Sequence, residues 1–207
     1  LITSNTAKNA GGFSLVCGKV QEPLAIVSNQ ISHGDDMTWI AKQRGETVAV
    51  SNTGVRDRSW PKIIHGERLM EEAIDEHVKA GEGENALIDR LLSVLCADTL
   101  PRLREDAGLE MYATWLRNSI FIPPIGPRGK EADTVTGETD SGRGLLENDG
   151  QTEQTVYLSG SFGTQKQTVI LLDTTGRIRY FERTLFDHNA KEIPLGQGDK
   201  SFEFTIA

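Results

Sequence analysis

Short apolar runs bounded by glycine and proline mark the start of the chain. Residues 13–20 and 24–27 are rich in β-branched or aromatic side chains and predict a hairpin. Residues 47–52 predict a third strand that ends on polar residues before a turn at Thr53-Gly54. Residues 1–12, small, polar and closed by Gly11-Gly12, read as a loop leading into the first strand. From Ser59 the apolar period changes from two toward 3.6. Ser59 is placed to accept from an orphan amide at a helix start, with Pro61 just inside, where its missing N–H costs nothing. Ile63, Ile64, Leu69, Met70, Ala73, Ile74 and Val78 then draw one stripe on a helix of about 20 residues, which Gly81 and Gly83 end. Burying such a stripe at roughly 1.5–3 kcal/mol per large side chain outweighs intrinsic helix propensity, so this helix is expected to pack on a sheet or on another helix. A second helix is expected from Glu84 to about Leu95, with Ala86, Leu87, Leu91, Val94 and Leu95 inward.

Residues 109–122 read two ways. Leu109, Met111, Tyr112, Trp115, Leu116 and Ile120 have helical spacing, while Ile120-Phe121-Ile122 is β-like until Pro123-Pro124. Residues 123–153 hold six Gly, three Pro and seven acidic against three basic residues. Such a segment buries too little apolar surface to offset its ordering entropy and is expected to be a disordered insertion within one domain spanning 1–207. The C-terminal part alternates again. Strands are expected at 155–159, 168–173, 177–183 and 201–206, with a turn at Thr174-Thr175-Gly176. Strands, then helices, then strands argue an α+β fold with a largely antiparallel sheet.

Composition narrows the function classes. At 37% hydrophobic and 25% charged, the 207 residues match an ordinary globular protein, and a net charge of -8 disfavours a nucleic-acid partner. No stretch approaches the ~18–20 consecutive apolar residues of a transmembrane segment, so a soluble protein is expected. Cys17 and Cys96 lack C-x-x-C spacing, which excludes a metal knuckle or a disulfide framework, and no N-x-S/T sequon is present. A reducing compartment, the cytosol, follows. Because residue 1 is Leu, the chain is read as starting inside a longer product, and an upstream segment of the same protein is an expected partner.

His33, His65, His77 and His188 are scattered without metal-ligand spacing, and no metal site is expected. Glu71, Glu72, Asp75 and Glu76 lie opposite the apolar stripe and read as a solvated helix face, with Asp75 and Lys79 four residues apart. In Gly81-Glu82-Gly83-Glu84 two carboxylates would repel a phosphate, so this is a helix boundary and not a phosphate loop. Residues 160–165 join two strands and offer hydroxyls and backbone amides, either as a ligand rim or as a plain β-turn. Ser51 and Asn52 stand at a strand end, where an Asn amide can donate to an oxyanion or a carbonyl, or simply cap a turn.

Three motifs carry a family resemblance. Residues 168–183, preceded by Gly163-Thr164, resemble the C-terminal signature of the transport-and-Golgi-organisation family, also called NRDE proteins. Val50-Ser51-Asn52 with Ser59-Trp60-Pro61-Lys62 resembles its Leu-Ser-Asn and Pro-Trp-x-Lys stretch, and Gly12-Phe13-Ser14-Leu15 its Gly-Phe-Asn-Leu strand. The motifs cover most of residues 11–206 outside the insertion, the C-terminal two thirds of such a protein, and the acidic insertion resembles that of a fungal-type member.

The resemblance implies an N-terminal-nucleophile-hydrolase-like αββα sandwich, incomplete here at its N-terminus. It also implies a cytoplasmic protein, Golgi- or mitochondrion-associated, linked to Golgi organisation, secretion, haem mobilisation or acyl-CoA and lipid handling. Neither the family's Asn-Arg-Asp-Glu run nor a Cys after an initiator Met lies in these residues, and Gln165 stands where many members carry Arg. The leading expectation is a protein that binds an amphipathic small molecule, haem or acyl-CoA, with Ser51, Asn52, Ser161, Gly163 and Thr164 as polar contacts. The rival is an amidase or thioesterase with an upstream Cys nucleophile and Asn52 as oxyanion donor. A third expectation is a module for secretory-pathway protein partners, docking through residues 123–153.

Overall fold

In the computed structural model the described residues are 14–19, 22–28, 38–51, 53–54, 57–102, 112, 115–125 and 162–206. They fall into two compact units, one of the described residues up to Ile64 and one of those from His65 on. The elements are two helices and two antiparallel three-stranded sheets, an α+β fold.

The first unit holds β1 (Ser14–Cys17), β2 (Leu24–Ser28) and β3 (Thr38–Ile40), in that order across one sheet. The predicted hairpin is β1–β2, with Val16 opposite Ile26 and Cys17 opposite Ala25. Ala25 and Ile26, on opposite faces of the central strand, are both buried. The third strand differs from expectation: Thr38–Ile40 pairs with β2, whereas residues 47–51 form no strand. Three residues give too little alternation to be seen in sequence, and the β-branched types at 47–50 favour a strand only where a neighbour runs alongside. Asn52 lies outside the described residues.

The helices form where the period predicts them, α1 at Pro61–Ala80 and α2 at Glu84–Leu95. Pro61 is the first helical residue, as expected. Trp60 occupies the flanking position, and the Ser59 N–H donates to Asp57 Oδ1 at 2.8 Å, so Ser59 stands one residue too early for the expected cap. Gly81 closes α1, its N–H reaching the carbonyls of His77 and Val78. Along α1 only Ile63 and Ala73 of the predicted stripe are buried, while Ile64, Ile74 and Val78 are exposed. On α2 the stripe is turned by one residue from that expected: Ile88, Leu91 and Leu92 are buried, and Leu87 and Leu95 pack beside them.

The second sheet is β4 (Lys166–Leu172), β5 (Arg177–Thr184) and β6 (Asp199–Thr205), an up-and-down meander close to the predicted strands. Val169 on its inner face joins Ile88, Leu91 and Leu92 in one core, with Met70, Leu171 and Phe181 around them. Burial of those four side chains at about 1.5–3 kcal/mol each holds α2 to the sheet. The turn between β4 and β5 is organised by Asp173, whose Oδ1 accepts from the N–H and hydroxyl of Thr175 and from Arg177 N–H.

A second cluster, Leu100, Ile122 and Ile125 with Tyr112 and Leu116, packs the chain after α2. Within 109–122 the described residues show a helical Tyr112 and a turn at 115–118, with no strand at 120–122. Fully buried Ser119 ties this chain together, accepting from Thr99 N–H at 2.9 Å and donating to the Phe121 carbonyl at 2.6 Å. Ile125, read as part of the insertion, belongs to this cluster, buried and bridged to Phe162. The insertion beyond Ile125 and the strand expected at 155–159 lie outside the described residues. No helix among the described residues is long and apolar enough to cross a membrane.

Candidate functional site

Of the residues expected to contact a ligand, Ser51, Gly163 and Thr164 are among the described residues. Gly163 and Thr164 sit together just before β4, where two backbone segments meet. Ile125 and Phe162 exchange both backbone hydrogen bonds, at 2.7 and 2.8 Å. Thr164 N–H donates to the Ile122 carbonyl at 2.7 Å, and Ile122 N–H donates back to Thr164 Oγ1 at 3.0 Å. A Cβ at Gly163 would stand 3.1 Å from each of Ile122 O, Pro123 O and Pro124 Cα, so only a residue without a side chain admits this approach freely. Thr164 therefore spends its N–H and one hydroxyl lone pair on the fold, and among the described residues its hydroxyl proton has no acceptor. Ser51, half-buried, belongs to the first unit; Asn52 and Ser161 lie outside the described residues.

The same sheet presents a contiguous apolar surface on its outer face. Register places Ile170, Tyr180 and Phe202 in one row and Leu172, Ile178 and Phe204 in the next. Ile170 is 60% exposed, Phe202 56% and Phe204 50%, against the rule that one face of an antiparallel sheet facing water is polar. Tyr180 and Phe202 lie with ring centroids 6.0 Å apart. The row beyond is polar: Glu182 accepts from Lys166 Nζ at 2.9 Å and from the Tyr180 hydroxyl at 3.1 Å, which holds its carboxyl below the usual range.

The inner face carries charge that α2 and the sheet satisfy mutually. Arg177 forms a bidentate pair with Glu84, at 2.6 and 3.1 Å, and reaches Glu203 at 2.8 Å. Glu203 and then Glu84 raise the Arg177 guanidinium above its ordinary value, and Arg177 lowers both carboxyls. Arg183 clamps Asp199 through two bonds at 2.9 and 2.8 Å. Glu82 receives Arg90, which also reaches Glu76. The two carboxylates of the glycine-flanked stretch are thus both taken up by arginines, in line with a helix boundary. In the acidic face of α1 the observed i,i+4 pair is Arg68–Glu72, while Asp75 and Lys79 form no ion pair.

Sequence reading missed Ser119 and Gln167. Gln167 is 3% exposed; its Nε2 donates to Cys96 Sγ at 3.2 Å and its Oε1 has no partner. Alternation with Val169 and Leu171 marks Gln167 as inward, a signal available from sequence; nothing local marks Ser119. Cys17 and Cys96 are both free and exposed. Among the described residues no group of three or more His, Cys, Asp or Glu is placed to hold a metal ion.

The sequence model of a family described as Transport and Golgi organisation 2 matches residues 2–187. The chain belongs to that family. The match includes the Gly163-Thr164 junction and the β4–β5 hairpin, and ends before β6. No curated protein and no solved structure matches the chain significantly.

Proposed function

We propose that this Transport and Golgi organisation 2 family member binds an amphipathic small molecule, an acyl-CoA or other lipid or haem, in a role in Golgi organisation, secretion or haem and lipid homeostasis. The observation that carries the reading is the outer face of β4–β6, where Ile170, Leu172, Phe202 and Phe204 stand exposed on either side of half-buried Ile178 and Tyr180, beside a polar row at Glu182. An acyl chain gains by covering that face at roughly 25 cal/mol per Å² of apolar surface removed from water. An acyl chain fits it better than haem, because the one side chain of the six that could ligate iron, Tyr180, already gives its hydroxyl to Glu182. Ser161, Gly163 and Thr164 are the proposed polar contacts of the second unit, through backbone amides and the Thr164 hydroxyl proton. Ser51 and Asn52 are those of the first. A cytoplasmic protein associated with Golgi or mitochondria, folded as one N-terminal-nucleophile-hydrolase-like domain, is part of the same reading, as are secretory-pathway partners.

Calorimetric titration with palmitoyl-CoA and with haem tests it. Micromolar binding of palmitoyl-CoA, weakened by Phe202→Asp without loss of fold, is expected; binding of neither compound at micromolar levels refutes it. Catalytic release of free CoA would instead favour the amidase or thioesterase reading, in which Asn52 serves an upstream Cys nucleophile.

A further inference from the structure

The inner face of the second sheet carries a polar contact that the proposed ligand surface does not use. Gln167 opens the inward series Gln167, Val169 and Leu171 on β4, and at 3% exposure it is as enclosed as Val169. Its Nε2 donates to Cys96 Sγ at 3.2 Å, while Oε1, on the same planar amide, is buried and without a partner. A buried carbonyl oxygen normally finds a donor, so an unpaired one beside a sulfur raises the question of what donor that sulfur can bring to it. Cys96 is reachable for such chemistry. It caps the C-terminal end of α2, its N–H closing on the Ser93 carbonyl, and it is exposed and free of any disulfide. The thiol thus meets solvent on one side and an enclosed amide on the other.

Charge does not single out this thiol. The carbonyl end of α2 is the negative end of its dipole and disfavours an anion at Cys96. Arg183, opposite Gln167 in the β4–β5 register, brings a positive charge, which Asp199 clamps through two bonds. Asp199 first, then Asp89 and Cys96, hold the Arg183 guanidinium above its ordinary value. What distinguishes the site is the amide, which offers the sulfur one donor in use and one acceptor unused.

That pair of groups selects among the products a cysteine forms. A thiol is a weak donor, and a disulfide, an S-acyl or an S-nitroso group places no hydrogen on the atom attached to sulfur. A sulfenic acid does: its hydroxyl stands one atom out from Sγ, and its sulfur still accepts from Nε2. We propose that Cys96 is an oxidation site for hydroperoxides, its sulfenic acid held by the Gln167 amide, with Nε2 donating to sulfur and the S–OH donating to Oε1. The Cys96 thiolate attacks one peroxide oxygen, and the S–O bond forms as the O–O bond breaks. Sulfur gives up two electrons, the attacked oxygen keeps its hydrogen, and the other oxygen leaves as hydroxide or alkoxide. That anion takes up the proton the thiol lost, giving water or an alcohol. The inference is independent of the ligand reading, since Gln167 lies on the sheet face opposite to Ile170 and Phe202.

The test uses the full chain, reduced beforehand and pulsed with hydrogen peroxide at neutral pH. Catalase ends the pulse, dimedone is added after increasing delays, and the Cys96 and Cys17 adducts are quantified by mass spectrometry. Cys17, exposed and in the first unit, is the reference within each sample. The trappable sulfenic acid at Cys96 is expected to outlast that at Cys17 by about threefold or more, the effect of one hydrogen bond. Gln167→Leu is expected to shorten the Cys96 lifetime to that of Cys17 and to leave Cys17 unchanged; circular dichroism checks the fold. Gln167→Met, unbranched and of similar length, is expected to do the same. A Cys96 lifetime unaffected by either folded variant overturns the proposal. So does the parent alone, if Cys96 gives no dimedone adduct or one no longer-lived than that of Cys17.

Discussion

Replacing Gly198 by alanine tests the packing at the start of the β5–β6 ladder. A Cβ there would fall 3.1 Å from the Thr184 carbonyl carbon and 2.2 Å from its oxygen, the latter well inside the 3.0 Å that real Cβ atoms keep from their neighbours. The obstacle is backbone, so no side-chain rotation relieves it. The strands must part at the point where Thr184 N–H donates to the Gly198 carbonyl and where Arg183 and Asp199 open the ladder with their bidentate pair. Overpacking of this kind costs about 1–3 kcal/mol, and loss of one backbone hydrogen bond about 0.5–1.5 kcal/mol. Reduced freedom of the unfolded chain returns about 0.4–1 kcal/mol. The net expectation is destabilisation by ~2–3 kcal/mol, or a fall in Tm of roughly 4–12 °C for a chain of this length. Urea denaturation followed by circular dichroism reads it as a lower midpoint at unchanged slope. Two companions set the scale. Gly163→Ala meets three backbone atoms at 3.1 Å and should cost less than Gly198→Ala, and Gly54→Ala, with nothing within 4 Å, should cost nothing or stabilise slightly. If Gly198→Ala is as stable as Gly54→Ala, the close approach is not a feature of the folded chain and the reasoning fails.

Other substitutions probe the remaining interactions. Ser119→Ala removes the acceptor of Thr99 N–H and the donor to the Phe121 carbonyl in a fully buried position, and is expected to cost about 1–3 kcal/mol in the same denaturation assay. Leu92→Ala should cost about 2–5 kcal/mol through the cavity it leaves between α2 and the sheet, whereas Val78→Ala, at an exposed site on α1, should change stability by less than about 0.5 kcal/mol. Glu84, held below its ordinary value of 4.5 by Arg177, stabilises the fold above that value and ceases to as pH falls through its lowered folded value. Glu84→Gln should therefore be less stable than the parent at neutral pH and lose less on acidification; parallel pH profiles for the two proteins would argue against the pair.

How much of this was legible in the sequence depended on whether one element carried its own signal. The two helices were legible because period, proline and glycine acted locally: Pro61 starts α1, and the carbonyls of its last turn are closed by Gly81. The β4–β5 hairpin was legible because its turn is chemical, an Asp carboxylate collecting three donors from the next four residues. Strand β3 was not, since three residues offer barely one period and their strand state is conferred by β2. The stripe on α2 was misjudged by one position for a related reason. Val94 and Leu95 look equivalent in sequence, and only the sheet, through Val169 and Leu171, selects Ile88, Leu91 and Leu92 as the side that is buried.

The candidate site divides along the same line. Gly163-Thr164 was legible as a motif, but its readable polarity is largely consumed: the glycine admits the 122–124 backbone, and the threonine bonds Ile122 twice. The outer face of β4–β6 was legible only in part. The strand 177–183 alternates in sequence, yet both of its faces carry a mixture of charge and bulk, so alternation alone did not say which face was left open. Register decides it, by aligning Ile170 with Tyr180 and Phe202, and Leu172 with Ile178 and Phe204. A surface that exists only when three strands are in register has no motif, and its composition argues for a role. Exposing Ile, Leu and Phe together on a sheet disfavours solubility and invites association, a liability expected to persist only where something apolar covers the face in use.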